Sequence, residues 1–175
     1  MSRKSVERKY LSEFVYGGFD GVVTTFAIVA GVVGASLSSS IVLILGFANL
    51  FADGFSMALS DYLSVKSQNE VYKQNKDRHL KNPRKTALVT FFSFLFVGFV
   101  PLFSFILSIF VPSFENYNFK ISLFLTCVAF LVIGAIKGEV VGRHKVKSAF
   151  ETLFIGGFAA LIAFLVGYFL KSIVS

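Results

Sequence analysis

This sequence predicts an all-α membrane protein, a single domain of five transmembrane helices, and three observations predict it. Hydrophobic residues make up 55% of the 175 and charged residues only 15%, with a mean hydropathy of +0.73, whereas a soluble domain of this size carries far more charge. The apolar residues come in five blocks, each long enough to cross the ~30 Å hydrocarbon core. The basic residues cluster in alternate connections between those blocks, which is how a polytopic chain is oriented. The net charge of +7 is therefore a topology signal and does not point to nucleic acid.

The first span, about Val15–Leu37, contains Asp20 and lacks a small-residue cleavage pattern, so it reads as a retained helix and not a signal peptide. Gly17 and Gly21, then Ala27, Gly31 and Ala35, recur at four-residue spacing along it. A tight hairpin at Ser38–Ser40 leads into the second span, Ile41–Val65, and the one sizeable loop follows at Lys66–Thr86. The third span, Ala87–Val111, should kink at Pro101, which removes a backbone hydrogen bond and clashes with the preceding turn. A connection centred on Pro112–Phe119 leads to the fourth span, Ile121–Val141; it holds the single Cys127, so no intrachain disulfide can form. Gly142–Ala149 leads to the fifth span, Phe150–Leu170, with Ala159, Ala163 and Gly167 again four apart, just after Gly156 and Gly157. Such ladders let helix backbones approach closely, within a chain or between chains. With no Trp in the chain, Tyr10, Tyr16, Tyr62, Tyr117 and Tyr168 are the candidate interfacial anchors.

An amino terminus in the cytosol places Arg3, Lys4, Arg8 and Lys9, the basic residues of the second loop and those of the fourth connection on one side. That accounts for fourteen of the seventeen basic residues, with Lys137 near the same face and only Lys120 and Lys171 across the membrane. The positive-inside rule then puts the carboxyl terminus outside.

The second span carries the chemistry. Asn49, Asp53, Met57 and Asp61 are four apart, so they form one column on a helical face. An ionisable group at bilayer depth costs several kcal/mol unless it meets a partner or a water-filled path. Two carboxylates, a thioether and a carboxamide in line suggest a route for a metal cation, because a purely structural column has no need of the sulfur. Counting ~1.5 Å per residue along the two antiparallel spans gives a ladder from inner mouth to mid-membrane: Glu13 and Asp61, then Asp20 and Met57, then Asp53. Carboxylates suit hard divalent ions and a thioether softer ones, so a mixed site leans toward Fe²⁺ and its neighbours over Mg²⁺ and Ca²⁺. Carboxylates in a low-dielectric setting also hold protons until a metal displaces them, the minimal requirement for proton-coupled exchange. Glu139 and Lys137 are equally well explained as interfacial groups, His79 and His144 as solvated loop residues, and Glu151 as a favourable charge at a helix amino end.

These residues resemble the vacuolar iron transporter family. GGFDGVVTTFAIVAGVVGAS is similar to that family's first helix, and ANLFADGFSMALSDYLSVKSQNE closely matches its A-D-x-x-S-M-x-x-x-E-Y-x-S signature. Weaker likeness continues in IGAIKGEVVG and ETLFIGGFAALIAFLVGYFL. The resemblance implies a homodimer of five-helix subunits that moves Fe²⁺ or Mn²⁺ out of the cytosol in exchange for protons, along a path between the subunits. It implies that Asp20 and Met57 are intramembrane metal ligands and that Glu13 is an acid at the inner entrance, with no permanently bound cofactor. The membrane would be the cell membrane, or the vacuolar membrane in a eukaryote. Two departures stand out. Asp61 takes the place of the usual Glu, and a Lys-rich loop, QNEVYKQNKDRHLKNPRK, replaces the Glu- and Met-rich cytosolic insert of the best-known members. A different class of function, a non-transporting anchor or assembly subunit for a soluble metal-handling protein, would keep the packing glycines without aligning Asp20, Asp53 and Met57. No nucleophile–base pair, His cluster or phosphate-binding loop suggests an enzyme.

Overall fold

A computed structural model describes residues 3–74 and 80–174 of the chain. Among the described residues the regular elements are all helical: α1 (Arg3–Gly34), α2 (Ser39–Gln74), α3 (Pro83–Gly98), α4 (Phe103–Phe110), α5 (Asn118–Val141) and α6 (Lys145–Val174). Short 3₁₀ turns at Val100–Leu102 and Pro112–Tyr117 flank α4. Because α3 and α4 form one broken span, five stretches are long and apolar enough to cross a membrane. The chain is a multi-pass, all-α membrane protein, as its composition predicts.

The bundle is built around α1, which touches α2, α3, α5 and α6. Phe26, Val29, Ala30 and Val32 of α1 meet Val42 and Leu50 of α2, Phe94 of α3 and Phe105 of α4 in the main core. Val22 of α1 forms a second cluster with Phe130 and Ile133 of α5. Lipid tails are as apolar as these side chains, so close backbone packing must supply much of the association. Gly21 passes so near α3 that a methyl group there would strike the Phe94 backbone, and one on Gly34 would strike the Phe164 backbone of α6. Gly17 meets Thr90 and Ser93 in the same way. A methyl group on Gly167 would strike the Gly31 backbone, so the small-residue ladders of the first and fifth spans are used inside the chain.

Pro101 interrupts the third span as expected, but by a 3₁₀ turn and not a simple bend. Serines satisfy the irregular backbone: Ser122 Oγ donates to the Pro101 carbonyl at 2.7 Å, and Ser104 Oγ donates to the Asn118 carbonyl at 2.9 Å.

The helices outrun the apolar spans. Lys66–Gln74 contains no Gly or Pro, so α2 continues through Gln74 beyond the predicted end at Val65. Leaving the bilayer removes apolar residues but does not stop a helix. The connection expected over 66–86 is correspondingly shorter, since α3 already starts at Pro83. Asn82 caps it, accepting from the Arg84 and Lys85 amides at 3.1 and 3.2 Å. Lys76, Arg78 and His79 lie outside the described residues, as do the side chains of Arg3, Lys4, Arg8 and Lys9. At the hairpin α1 stops at Gly34, before the predicted Leu37, because the Leu37 amide donates to Val32 O at 3.0 Å and the Ser36 amide to Val33 O at 2.9 Å. Ser36 takes the left-handed conformation (φ 56°) that this closure requires.

Candidate functional site

The hairpin sets the register of the polar column. Thr24 on α1 and Asn49 on α2 lie equally far from the turn, and Asn49 Nδ2 donates to Thr24 Oγ1 at 3.4 Å. Thr24 Oγ1 in turn donates to the Asp20 carbonyl at 2.8 Å. One turn further from the hairpin on both helices come Asp20 and Asp53, close enough for their charges to interact. Depth counting pairs Asp20 with Met57; in the structure Asp20 is level with Asp53, and Met57 lies a turn nearer the α1 amino-terminal end. The difference follows from α1 ending at Gly34, which moves the whole register.

Asp20 is half-buried, and Asp53 is exposed on the surface of the subunit. Among the described residues neither carboxylate accepts a hydrogen bond or joins an ion pair. Met57 is half-buried and packs against the main core. Asp61 accepts a hydrogen bond from Thr90 Oγ1 of α3. Glu13 is only 7% exposed, and it is fully engaged. Its Oε1 pairs with Lys81 Nζ at 2.7 Å and its Oε2 accepts from Ser12 Oγ at 2.8 Å. Lys81 is itself held by its backbone: Asn69 Nδ2 donates to the Lys81 carbonyl at 2.7 Å, and the Lys81 amide donates to Asn69 Oδ1 at 3.2 Å.

The four acids therefore fall into two groups, an engaged set nearer the α1 amino terminus (Glu13, Asp61) and a free pair deeper in the span (Asp20, Asp53). Met57 lies between them. Among the described residues no three His, Cys, Asp or Glu side chains converge closely enough to hold a metal ion within one subunit. Glu139 pairs with Lys145 at 2.9 Å and Glu151 with Lys137 at 3.9 Å, so both have surface partners of their own. A cavity of about 830 Å³ between α1, α5 and α6 contains none of the column residues.

Sequence reasoning missed Lys81, Asn69 and Thr90, whose roles depend on contacts between distant parts of the chain. It also missed a ladder on α2. Ala48, Ala52, Ser56, Ser60 and Ser64 are four apart, directly beside the polar column, and all are exposed. Their spacing is legible in the sequence; their exposure is not.

The VIT family model matches this chain over residues 11–81 and 74–168. The chain belongs to the VIT family. Among similar members, the vacuolar iron transporter of Plasmodium berghei is 25% identical, over 96% of this chain and 85% of its own length. Vacuolar iron transporter 1 of Arabidopsis thaliana is 28% identical over 87% and 82%, and vacuolar iron transporter homolog 4 of that plant is 28% identical over 90% and 81%. The first two alignments run 231 and 210 positions against a chain of 175 residues, so those relatives hold sequence that this chain lacks. The alignment with homolog 4 runs only 167 positions. The two VIT family matches meet at 74–81, in the connection between α2 and α3.

Proposed function

We propose that this chain is a homodimeric transporter that moves a divalent transition metal, Fe²⁺ or Mn²⁺, out of the cytosol in exchange for protons. Family membership and relatives named vacuolar iron transporters support metal as the cargo. The observation that carries the reading is the free Asp20–Asp53 pair at membrane depth. Two carboxylates close together in a low-dielectric setting repel one another unless something neutralises them. A divalent cation does so, and so do protons. One pair that accepts either is sufficient for exchange, with the Met57 thioether a turn away to favour softer cations.

Asp53 is exposed on one subunit, and lipid is a costly neighbour for a carboxylate. The adjacent ladder of Ala48, Ala52, Ser56, Ser60 and Ser64 would let a second copy's helix approach closely. In the dimer each subunit would contribute its pair, with Glu13 and Asp61 at the cytosolic entrance. The basic-residue distribution supports a cytosolic amino terminus.

Purified protein in liposomes, offered Fe²⁺, Mn²⁺, Co²⁺ and Zn²⁺ in competition, tests this. Uptake should be saturable, should acidify the compartment that receives protons and should slow when the imposed pH gradient is collapsed. Met57→Leu keeps volume and apolarity, so it should transport while losing part of its preference for softer ions. No uptake of any of the four metals would end the reading. Orientation is read by cysteine labelling at Lys73 and Asn116, both exposed, which should react from opposite sides. Asn118 is buried and unsuited to that purpose.

A further inference from the structure

We infer that Lys81 is a tethered counter-cation that occupies the entrance carboxylate Glu13 and is displaced by the incoming metal ion, so that it sets the concentration at which transport begins. The inference rests on the transport reading above. Glu13 is buried and its Oε1 is taken by the Lys81 ammonium at 2.7 Å, with Ser12 Oγ a second contact of that ammonium at 3.4 Å. Asp20 follows Glu13 by seven positions, two helical turns, so both project from one side of α1. A cation entering along that side toward Asp20 and Asp53 meets Glu13 first, and finds it neutralised.

Three features make this a removable occupant and not a brace. The backbone of Lys81 is gripped by the Asn69 carboxamide through two hydrogen bonds, so the connection stays in place without help from the ammonium. The Lys81 side chain is one-third exposed, so rotation about its own bonds carries the charge into water. A divalent ion brings two charges to a site that one ammonium fills, and no bond is made or broken in the swap. The position in the chain fits the same role. The two VIT family matches meet at 74–81, and Lys81 closes that junction. Here the connection between α2 and α3 delivers an ammonium to the entrance acid.

The test compares wild type, Lys81→Gln and Lys81→Arg by initial rates of Co²⁺ uptake into liposomes. Lys81→Gln keeps a donor to Glu13 and the Asn69 clamp but removes the charge, and it should lower the apparent KM about fivefold or more with little change in maximal rate. Lys81→Arg should keep the KM near wild type or raise it. A second readout needs no transport: acylation of the Lys81 amine in the purified full chain, followed by mass spectrometry. Co²⁺ should speed modification of Lys81 several-fold in wild type, and Glu13→Gln should leave Lys81 reactive without metal. An unchanged or raised KM in Lys81→Gln, or Co²⁺ uptake with no change in Lys81 reactivity, would overturn the inference while leaving metal transport intact. Failure of the wild type to take up any metal is a different result and removes the reading beneath it.

Discussion

The carboxylates near the amino-terminal end of α1, at the mouth of the bundle, and those deeper in the spans are similar groups on the same two helices, yet the fold treats them in opposite ways. At the mouth, Glu13 has Lys81 and Ser12, and Asp61 has Thr90 of α3. Deeper in, Asp20 and Asp53 have each other's charge and, among the described residues, no hydrogen-bond partner. Burial within the subunit does not explain the difference, since Glu13 is buried while Asp20 is half-buried and Asp53 exposed; it is at bilayer depth that an unpaired carboxylate is costly. The fold satisfies Glu13 and Asp61 and leaves Asp20 and Asp53 open. Under the proposed transport reading, the unpartnered pair is the place where a cation would supply the missing charge.

Asp20→Asn tests the deeper half of this comparison and should have the largest effect. The amide preserves shape but supplies neither charge nor an exchangeable proton, so metal uptake should fall to background while the protein remains folded. Its thermal stability should be equal to wild type or higher, because a repelling charge is lost. Uptake at the wild-type rate would make the carboxylate structural and would favour the anchor function.

The exposed flank of the column is tested next. Ser56→Trp places a large ring on the small-residue ladder of α2, which should convert dimer to monomer in light scattering and reduce uptake strongly, without disturbing the core that α1 organises. A variant that stays dimeric would place the interface elsewhere on the subunit.

The mouth should respond least. Thr90→Val removes the donor to Asp61 and should cost about 1 kcal/mol of stability, within the range measured for interhelical hydrogen bonds in membranes, with uptake reduced only a few-fold. If Thr90→Val silenced transport as completely as Asp20→Asn, the two sets would be one functional unit and the contrast between them would not stand.

Much of this molecule is legible without coordinates. Membrane class follows from blocks of apolar residues, since hydrocarbon admits no other neighbour for the backbone than a helix of its own making. The column of Asn49, Asp53, Met57 and Asp61 follows from helical periodicity, and the break at Pro101 follows from the missing amide. Helix ends were less legible: nothing in Lys66–Gln74 stops α2, and the turn that ends α1 uses Ser36 in a conformation where glycine would have announced it. Moving that one end put Asp53, in place of Met57, level with Asp20.

Contacts across long separations were decided by the tertiary structure alone. Glu13 meets Lys81 across 68 positions because α1 and the residues just before α3 converge at one end of the bundle. No local pattern marks Lys81 among its basic neighbours, and no periodicity tells whether the ladder Ala48–Ser64 faces the core or leaves the subunit. Sequence by itself determined what each helix is and which residues share its faces, because those depend on neighbours one turn away. What each face meets depends on the packing of all six helices at once, and that is a property only of the assembled bundle.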